Sequence, residues 1–471
     1  MDTPLLKLLI KVGVVLACCA LIFLYHFIRS IYGVRRMQKA LLRGDAEMLQ
    51  RLVEKNRKML LDDDAELLRH LVELAVVADC SPECLKLLLS LHSPESIQRH
   101  LRDKEEENLL NLAVSGASPV LLRLLLEAGM KPEAESESPW LRCCVLGQVE
   151  HARVLAEFGG DVMTAAQNEE SNGVQPIHAI VYGWYEHPEA SRPMLEYLLE
   201  RGVDVNALTL SGNTPLDLAC DETHVGYQVH EELREILTRA GAVRGATLRC
   251  PNPLYTIRIL CKDGKPELSA YVAALPEGVS ITEYAEPWRG VPELLAQYPD
   301  MNEEFRRDVE SHTSWIEVRA QGKPGEFPPQ AANRCYAAAH ALAGHYTVVA
   351  VQFGQFFGKS FVNQETEQPD PFSMVALERA LSEDGCYIIC TRGMQDYGLQ
   401  EYELVIPQEL CRKHGLHPLQ PLGDALCQAF AGTTCLEPGH TMTICDRFAT
   451  VEWRQSFLTE TVGYRIAVRG E

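Results

Sequence analysis

The 471 residues hold no C-x-x-C pair among 16 cysteines, no H-E-x-x-H, no G-x-S-x-G and no G-x-G-x-x-G. Absent with them are the spacings that announce a redox dithiol, a zinc protease, a nucleophile elbow and a dinucleotide loop. Basic charge is scarce too. Lys and Arg number 44 against 65 Asp and Glu, a net charge of -21, and such a field repels polyphosphate, so nucleic acid is not expected as a partner. Apolar runs long enough to cross a bilayer are missing except at one end, which excludes a polytopic membrane protein. The rest, 46% hydrophobic and 23% charged, is ordinary for folded domains. The cysteines sit at irregular spacings, as buried free thiols of a reducing compartment do.

The one long apolar run is N-terminal. From Val12 to Ile28 no side chain carries a fixed charge, and with Leu8, Leu9 and Ile10 ahead of Lys11 the stretch approaches the roughly 20 residues a spanning helix needs. Residues 12–32 are therefore expected to form a single transmembrane helix after a short segment, 1–11. A cleaved signal peptide fits less well, because Val-Leu-Ala-Cys-Cys-Ala is followed by more apolar residues, Leu21 to Tyr25, where a polar mature start belongs. Lys7 and Lys11 precede the span, whereas Arg29, Arg35, Arg36, Lys39 and Arg43 follow it. By the positive-inside rule the body faces the cytoplasm. Residues 44–471 carry 37 basic against 64 acidic side chains, so the charge of the body opposes that of the juxtamembrane segment.

Between residues 38 and 245 Leu-rich helices end repeatedly in Gly. The four clearest ends are Leu124 to Gly129, Val154 to Gly159, Tyr197 to Gly202 and Ile236 to Gly241, with 30, 43 and 39 residues between successive glycines. A left-handed residue just past a helix closes its last turn, and Gly adopts that conformation at little steric cost. Gly212-Asn213-Thr214-Pro215-Leu216-Asp217 and Gly173-Val174-Gln175-Pro176-Ile177-His178 each place Pro at a helix start, where a missing N–H costs nothing.

These segments, with Gly202-Val203-Asp204-Val205-Asn206-Ala207 as an inter-repeat loop, resemble the ankyrin repeat and its Thr-Pro-Leu-His tetrapeptide. The resemblance implies an α-helical solenoid, with degenerate earlier units around Leu42 to Glu47 and Glu107 to Ala113. It also implies that His178 is structural. Gly183 to Pro188 and Asp221 to His230 read as lengthened turns between paired helices. Aromatic residues in such insertions are favoured interface anchors, so Trp184 and Tyr185 are candidate protein-binding residues, with Trp140 a third.

After Cys250-Pro251-Asn252-Pro253 the period changes. Leu254 to Leu260, Ser314 to Ala320, Thr347 to Phe353, Cys386 to Thr391 and Glu401 to Ile406 read as strands, and Pro328 to His345, Pro371 to Ser382 and Leu422 to Ala431 as helices. Residues 250–471 are thus expected to be a separate α+β domain. His312 to Val318, the Ala-rich helix through His340, and Thr391 to Glu403 are similar to a bacterial domain of unknown function, the family numbered 4261. That similarity implies a bacterial source, hence the inner membrane, and no activity.

Chemistry is sparse in this half. Gly354 to Ser360 is one residue short of a phosphate loop and lacks a helix start after it, so an ordinary turn is expected. Cys411, His414 and His417 have no evident fourth metal ligand. His340 and His345 do not share a helix face. No catalytic, cofactor or metal residue is assigned. The expected function is protein recognition by a membrane-anchored array, favouring a basic partner, in one form as an immunity- or antitoxin-like inhibitor. The alternative is a hydrolase-like enzyme bringing His312, His340 or His345 together in a pocket of residues 250–471.

Overall fold

The computed structural model describes residues 32–60, 66–91, 109–131, 138–160, 173–221, 231–262, 275–353, 356–358, 372, 374–433, 436, 440–444, 447–459 and 461–468. The span expected at 12–32 lies outside these residues but for its last. Among the described residues no helix is long and apolar enough to cross a membrane. Two compact units emerge: residues 1–167 with 182–203, and residues 168–181 with 204–471.

The first unit is built of helix pairs. Glu66–Val77 pairs with Pro82–Leu89, Leu109–Gly116 with Pro119–Glu127, and Pro139–Leu146 with Val149–Glu157. First helices lie on first helices and second on second. Pro119–Glu127 shows why: Leu121, Leu122, Leu125 and Leu126, at helical spacing, are all buried, each contributing about 1.5–3 kcal/mol of apolar transfer.

The four glycines read from the sequence as helix closures all adopt positive φ: Gly129 at 104°, Gly159 at 86°, Gly202 at 75° and Gly241 at 92°. All four make the same two bonds. Gly129 N–H donates to Leu126 O and Met130 N–H to Leu125 O, and the same offsets recur at the other three. This doubly bonded Schellman closure satisfies carbonyls that a helix end otherwise leaves bare.

The insertion reading of Gly183 to Pro188 needs correction. Pro176–Glu186 is one helix running through Trp184 and Tyr185, and the next helix, Pro188–Glu200, begins two residues later. The added length is extra helix, and His187 is the single residue between the two helices. The other lengthened turn, Asp221 to His230, lies almost wholly outside the described residues.

The second unit contains two sheets. In the first, β1 (Leu254–Cys261), β2 (Val279–Tyr284), β3 (Ser314–Gln321), β4 (Val348–Phe353) and β5 (Phe356–Gly358) are antiparallel, in the order β2-β3-β1-β4-β5. The second runs β6-β7-β8-β11-β10-β9, from β6 (Ala376–Leu381), β7 (Cys386–Arg392), β8 (Tyr402–Pro407), β9 (Thr441–Ile444), β10 (Arg447–Gln455) and β11 (Val462–Val468). Only β8 and β11 pair in parallel, so this sheet is mixed. One apolar core joins Ile257 and Ile259 of the first sheet, Leu404 and Ile466 of the second, and the helices Pro328–Ala343 and Gln420–Ala431. Ala331, Ala332, Ala338 and Ala339 let the first of those helices lie close to β1 and β3.

All five strands read from the sequence are present, their ends shifted by at most one residue. The helix expected over Pro371 to Ser382 is not. Ala376–Leu381 is the edge strand β6, paired with β7 around a turn in which Ser382 N–H donates to Cys386 O and Gly385 takes φ 77°. Helix propensities differ by tenths of a kcal/mol per residue, and ladder bonds with a Glu378–Arg392 cross-strand pair outweigh them.

Two buried histidines span neighbouring repeats. In the first unit His151 Nε2 lies 2.8 Å from Ala117 O. In the second, His178 Nδ1 accepts Gln175 N–H at 3.1 Å while Nε2 donates to Ala207 O at 3.0 Å. Burial depresses both, His178 to about 4. The sign follows: a histidine kept neutral by the fold contributes fully above its unfolded value of about 6.5, and that contribution drains away as pH falls toward 4. The urea midpoint should therefore drop between pH 7 and 5 by the equivalent of up to about 2 kcal/mol. A His178→Gln variant, less stable at pH 7, should show a flatter profile over the same range.

Candidate recognition surface and a buried polar cluster

Trp140 and Trp184, expected to be exposed anchors, are 2% and 1% exposed. This corrects their placing on the surface. Trp184 is covered by the Arg192 guanidinium, 6.0 Å from its ring, and the adjacent Gly183 leaves no room for a Cβ against the Cys144 and Val145 carbonyls. The tryptophans fill the space left where helices of unequal length stack. Tyr185 is half-buried and is the only one of the three with surface to offer.

A contact between second helices escaped the sequence reading. Arg123 lies over the Phe158 ring at 5.9 Å and pairs with Glu157 at 2.5 Å. Thirty residues on, Arg153 lies over Tyr197 at 5.1 Å, and Arg201 covers the same ring at 5.0 Å. Arg123 and Arg153 are each the fifth residue of their helix, a recurrence visible in the sequence once the helix starts are known. Such pairs contribute about 0.5–1 kcal/mol each where exposed.

In the second unit the tetrapeptide Thr214-Pro215-Leu216-Asp217 carries Asp where His178 stands in the preceding copy. The exchange reverses the hydrogen-bond sense. His178 donates to a carbonyl 29 residues on, whereas Asp217 accepts from Gly245 N–H at 2.7 Å and Arg244 Nε at 2.7 Å. Asp217 also completes a capping box with Thr214. Arg244 continues to Gly432 O and stacks on Phe327; Arg249 reaches Gly398 O and Gly212 O; Asn213 donates to Tyr464 Oη at 2.8 Å and Leu436 O at 3.0 Å. Residues read from the sequence as the end of the solenoid are thus bonded into the sheet-bearing unit.

The polar cluster closest to an active site lies on β8. Glu403 accepts from Cys390 Sγ at 2.9 Å, Ser456 Oγ at 2.6 Å, Phe457 N–H at 2.7 Å and Arg465 Nε at 2.6 Å. Burial works to raise its pKa, but these donors outweigh it and hold the carboxyl below the ordinary range. Burial pushes the Cys390 thiol up to about 12, which leaves almost no thiolate for attack at neutral pH. Two residues away, Glu401 accepts from Thr391 Oγ1, Gly393 N–H and Met394 N–H, tying the 3-10 turn Met394–Tyr397 to β8. Burial raises it. Both carboxylates hold the chain together.

Of the histidines proposed for an enzyme, His312 and His340 are held on opposite faces of the first sheet. His312 donates through Nδ1 to Val309 O and accepts Trp288 N–H at Nε2, on the sheet face that carries Trp315. His340 stacks on Tyr336 in a helix packed on the opposite face, with Ile316. Cys411 is buried, while His414 ends its helix before the left-handed Gly415 and His417 accepts Leu419 N–H. Among the described residues no three His, Cys, Asp or Glu side chains are grouped to hold a metal ion. Phe353 pairs with Phe356, so the shortened phosphate-loop motif passes into a strand.

No protein-family model matches the chain, and the similarity of residues 250–471 to the family numbered 4261 gains no support from one. Among solved structures, the ankyrin repeat domain of Bcl-3 aligns at 24% identity and a TM-score of 0.35, over 44% of this chain and 86% of that one. The human ASB11 ankyrin repeat domain aligns at 20% identity and 0.32, over 44% and 83%. The ankyrin-like character of the helical part rests on its own geometry: paired helices stacked like on like, four glycine closures and the two tetrapeptides.

Trp184→Ala should cost about 3–5 kcal/mol in chemical denaturation, as buried aromatic truncations do. Tyr185→Ala should cost under about 1 kcal/mol. Iodoacetamide at pH 8 should modify exposed Cys427 while leaving Cys390 intact until denaturant is added.

Proposed function

We propose that this chain is a protein-recognition module whose ankyrin-like helix pairs present the binding surface, tethered by residues 12–32 as a single membrane span. The observation that carries the reading is the stack of helix pairs itself. Its buried side chains and backbone closures are consumed in holding one repeat to the next, which leaves outward helix faces and inter-repeat loops as variable surface. Tyr185, with Val77 and Val120 exposed on two other helices of the first unit, is among the apolar groups such a surface offers. A body with 64 acidic side chains against 37 basic ones favours a basic partner.

The flanking charge puts the body on the cytoplasmic face of a bacterial inner membrane, where a tether raises the effective concentration of any membrane-associated target. An immunity- or antitoxin-like inhibitor, occluding a toxin near the membrane, is one specific form of this reading.

Affinity capture of the detergent-solubilised full chain should recover one dominant partner, with at least about ten-fold less recovered by a Val77→Ser/Val120→Ser/Tyr185→Ala variant that stays folded. Recovery of chaperones alone overturns the reading. In intact cells a membrane-impermeant maleimide should label Cys427 only after permeabilisation.

A further inference from the structure

The first described helix, residues 32–42, has two opposed faces. Met37, Ala40 and Leu41 are buried in the first unit, which fixes the helix to the array. On the other side Tyr32, Arg35, Arg36, Lys39 and Leu42 are exposed, and Arg43 follows on the closing turn. At 3.6 residues per turn these six positions fall within about 120° of arc. Among the described residues none of the four cations is ion-paired; Arg36 reaches only the Met48 sulfur, at 3.9 Å. Elsewhere on the array several arginines are matched, as Arg51 is with Glu47, Arg69 with Glu73 and Arg123 with Glu157.

Four unmatched cations on one face stand out in a chain whose remainder carries 37 basic against 64 acidic side chains. The charge-free run Val12 to Ile28 ends four residues before Tyr32, so whatever holds that run holds this stripe within a few residues of it. We infer that the stripe is a docking surface for the headgroups of an anionic phospholipid leaflet, an inference that rests on the membrane tether proposed above. Because the opposite face is packed into the first unit, docking there fixes the angle at which the helix pairs leave the bilayer. The tether is then a rigid mount. Tyr32 suits the interfacial level, where amphipathic rings concentrate.

Lys39 is itself the probe. The full chain is reconstituted in nanodiscs of phosphatidylcholine alone or with about one-third phosphatidylserine, and acetylation of Lys39 is timed by mass spectrometry against exposed Lys86. Each cation near an anionic surface is worth about five-fold in binding, so Lys39 should react several-fold more slowly on the anionic discs only. The slowing should vanish near 1 M salt, where the screening length is about 3 Å. It should also vanish in an R35Q/R36Q/R43Q variant whose Lys86 rate is unchanged. Equal Lys39 rates on the two lipids overturn the proposal, as does slowing that survives the triple substitution, or slowing by duplex DNA or an acidic peptide in place of lipid. Failure of the tether is a separate outcome, a chain that never enters discs. The stripe is then tested by flotation with phosphatidylserine vesicles, where about a hundred-fold loss of binding in the triple variant is expected and none overturns it.

Discussion

The Asp217 carboxylate sits where helical repeat gives way to sheet. It collects the N–H groups of Thr214 and Gly245 and the Arg244 guanidinium, and through Arg244 the link reaches Gly432 and Phe327. A buried carboxylate is tolerated only when its lone pairs are filled and its charge is matched, and both conditions are met. Without that site the last repeat would present a bare stacking face. Solenoids require their ends to be covered, and the last repeat, itself part of the sheet-bearing unit, is bonded into it at this point.

The division of labour among polar side chains follows the same logic. Glu403 gathers Cys390, Ser456 and Arg465 from three other strands or their turns, and Glu401 caps a 3-10 turn, so the residues of this half that most resemble catalytic groups are spent on cohesion. The thiol beside Glu403 is driven away from reactivity by the burial that makes the cluster stable.

Much of the architecture was legible from local signals, because those signals are backbone requirements. A glycine needed at positive φ, a proline at a helix start and a β-branched run each report a local conformation, and Gly129, Gly159, Gly202 and Gly241 met that requirement. Where the outcome depended on distant partners, the reading failed. Ala376–Leu381 has helix-forming residues yet completes a sheet with β7, and β9 to β11 carry too weak an alternation to be seen before β11 pairs with β8 and β10 and β9 add on in turn. Trp184 was placed outside because its neighbours looked like a loop; one continuous helix turns it inward. The clusters at Asp217 and Glu403 contain hydrogen bonds between residues as much as 188 and 66 positions apart, beyond any spacing rule.

The position of β11 bears on synthesis. This strand, the last in sequence order among the described residues, lies inside its sheet, hydrogen-bonded to β8 on one side and β10 on the other. Helix pairs of the first unit can close in turn as they leave the ribosome, since their contacts are local. The mixed sheet cannot: β8 must wait with an open ladder edge for a partner some sixty residues downstream, exposed meanwhile to mispairing. Such a chain folds on two schedules, early at its helices and in its sheet only once β11 has emerged.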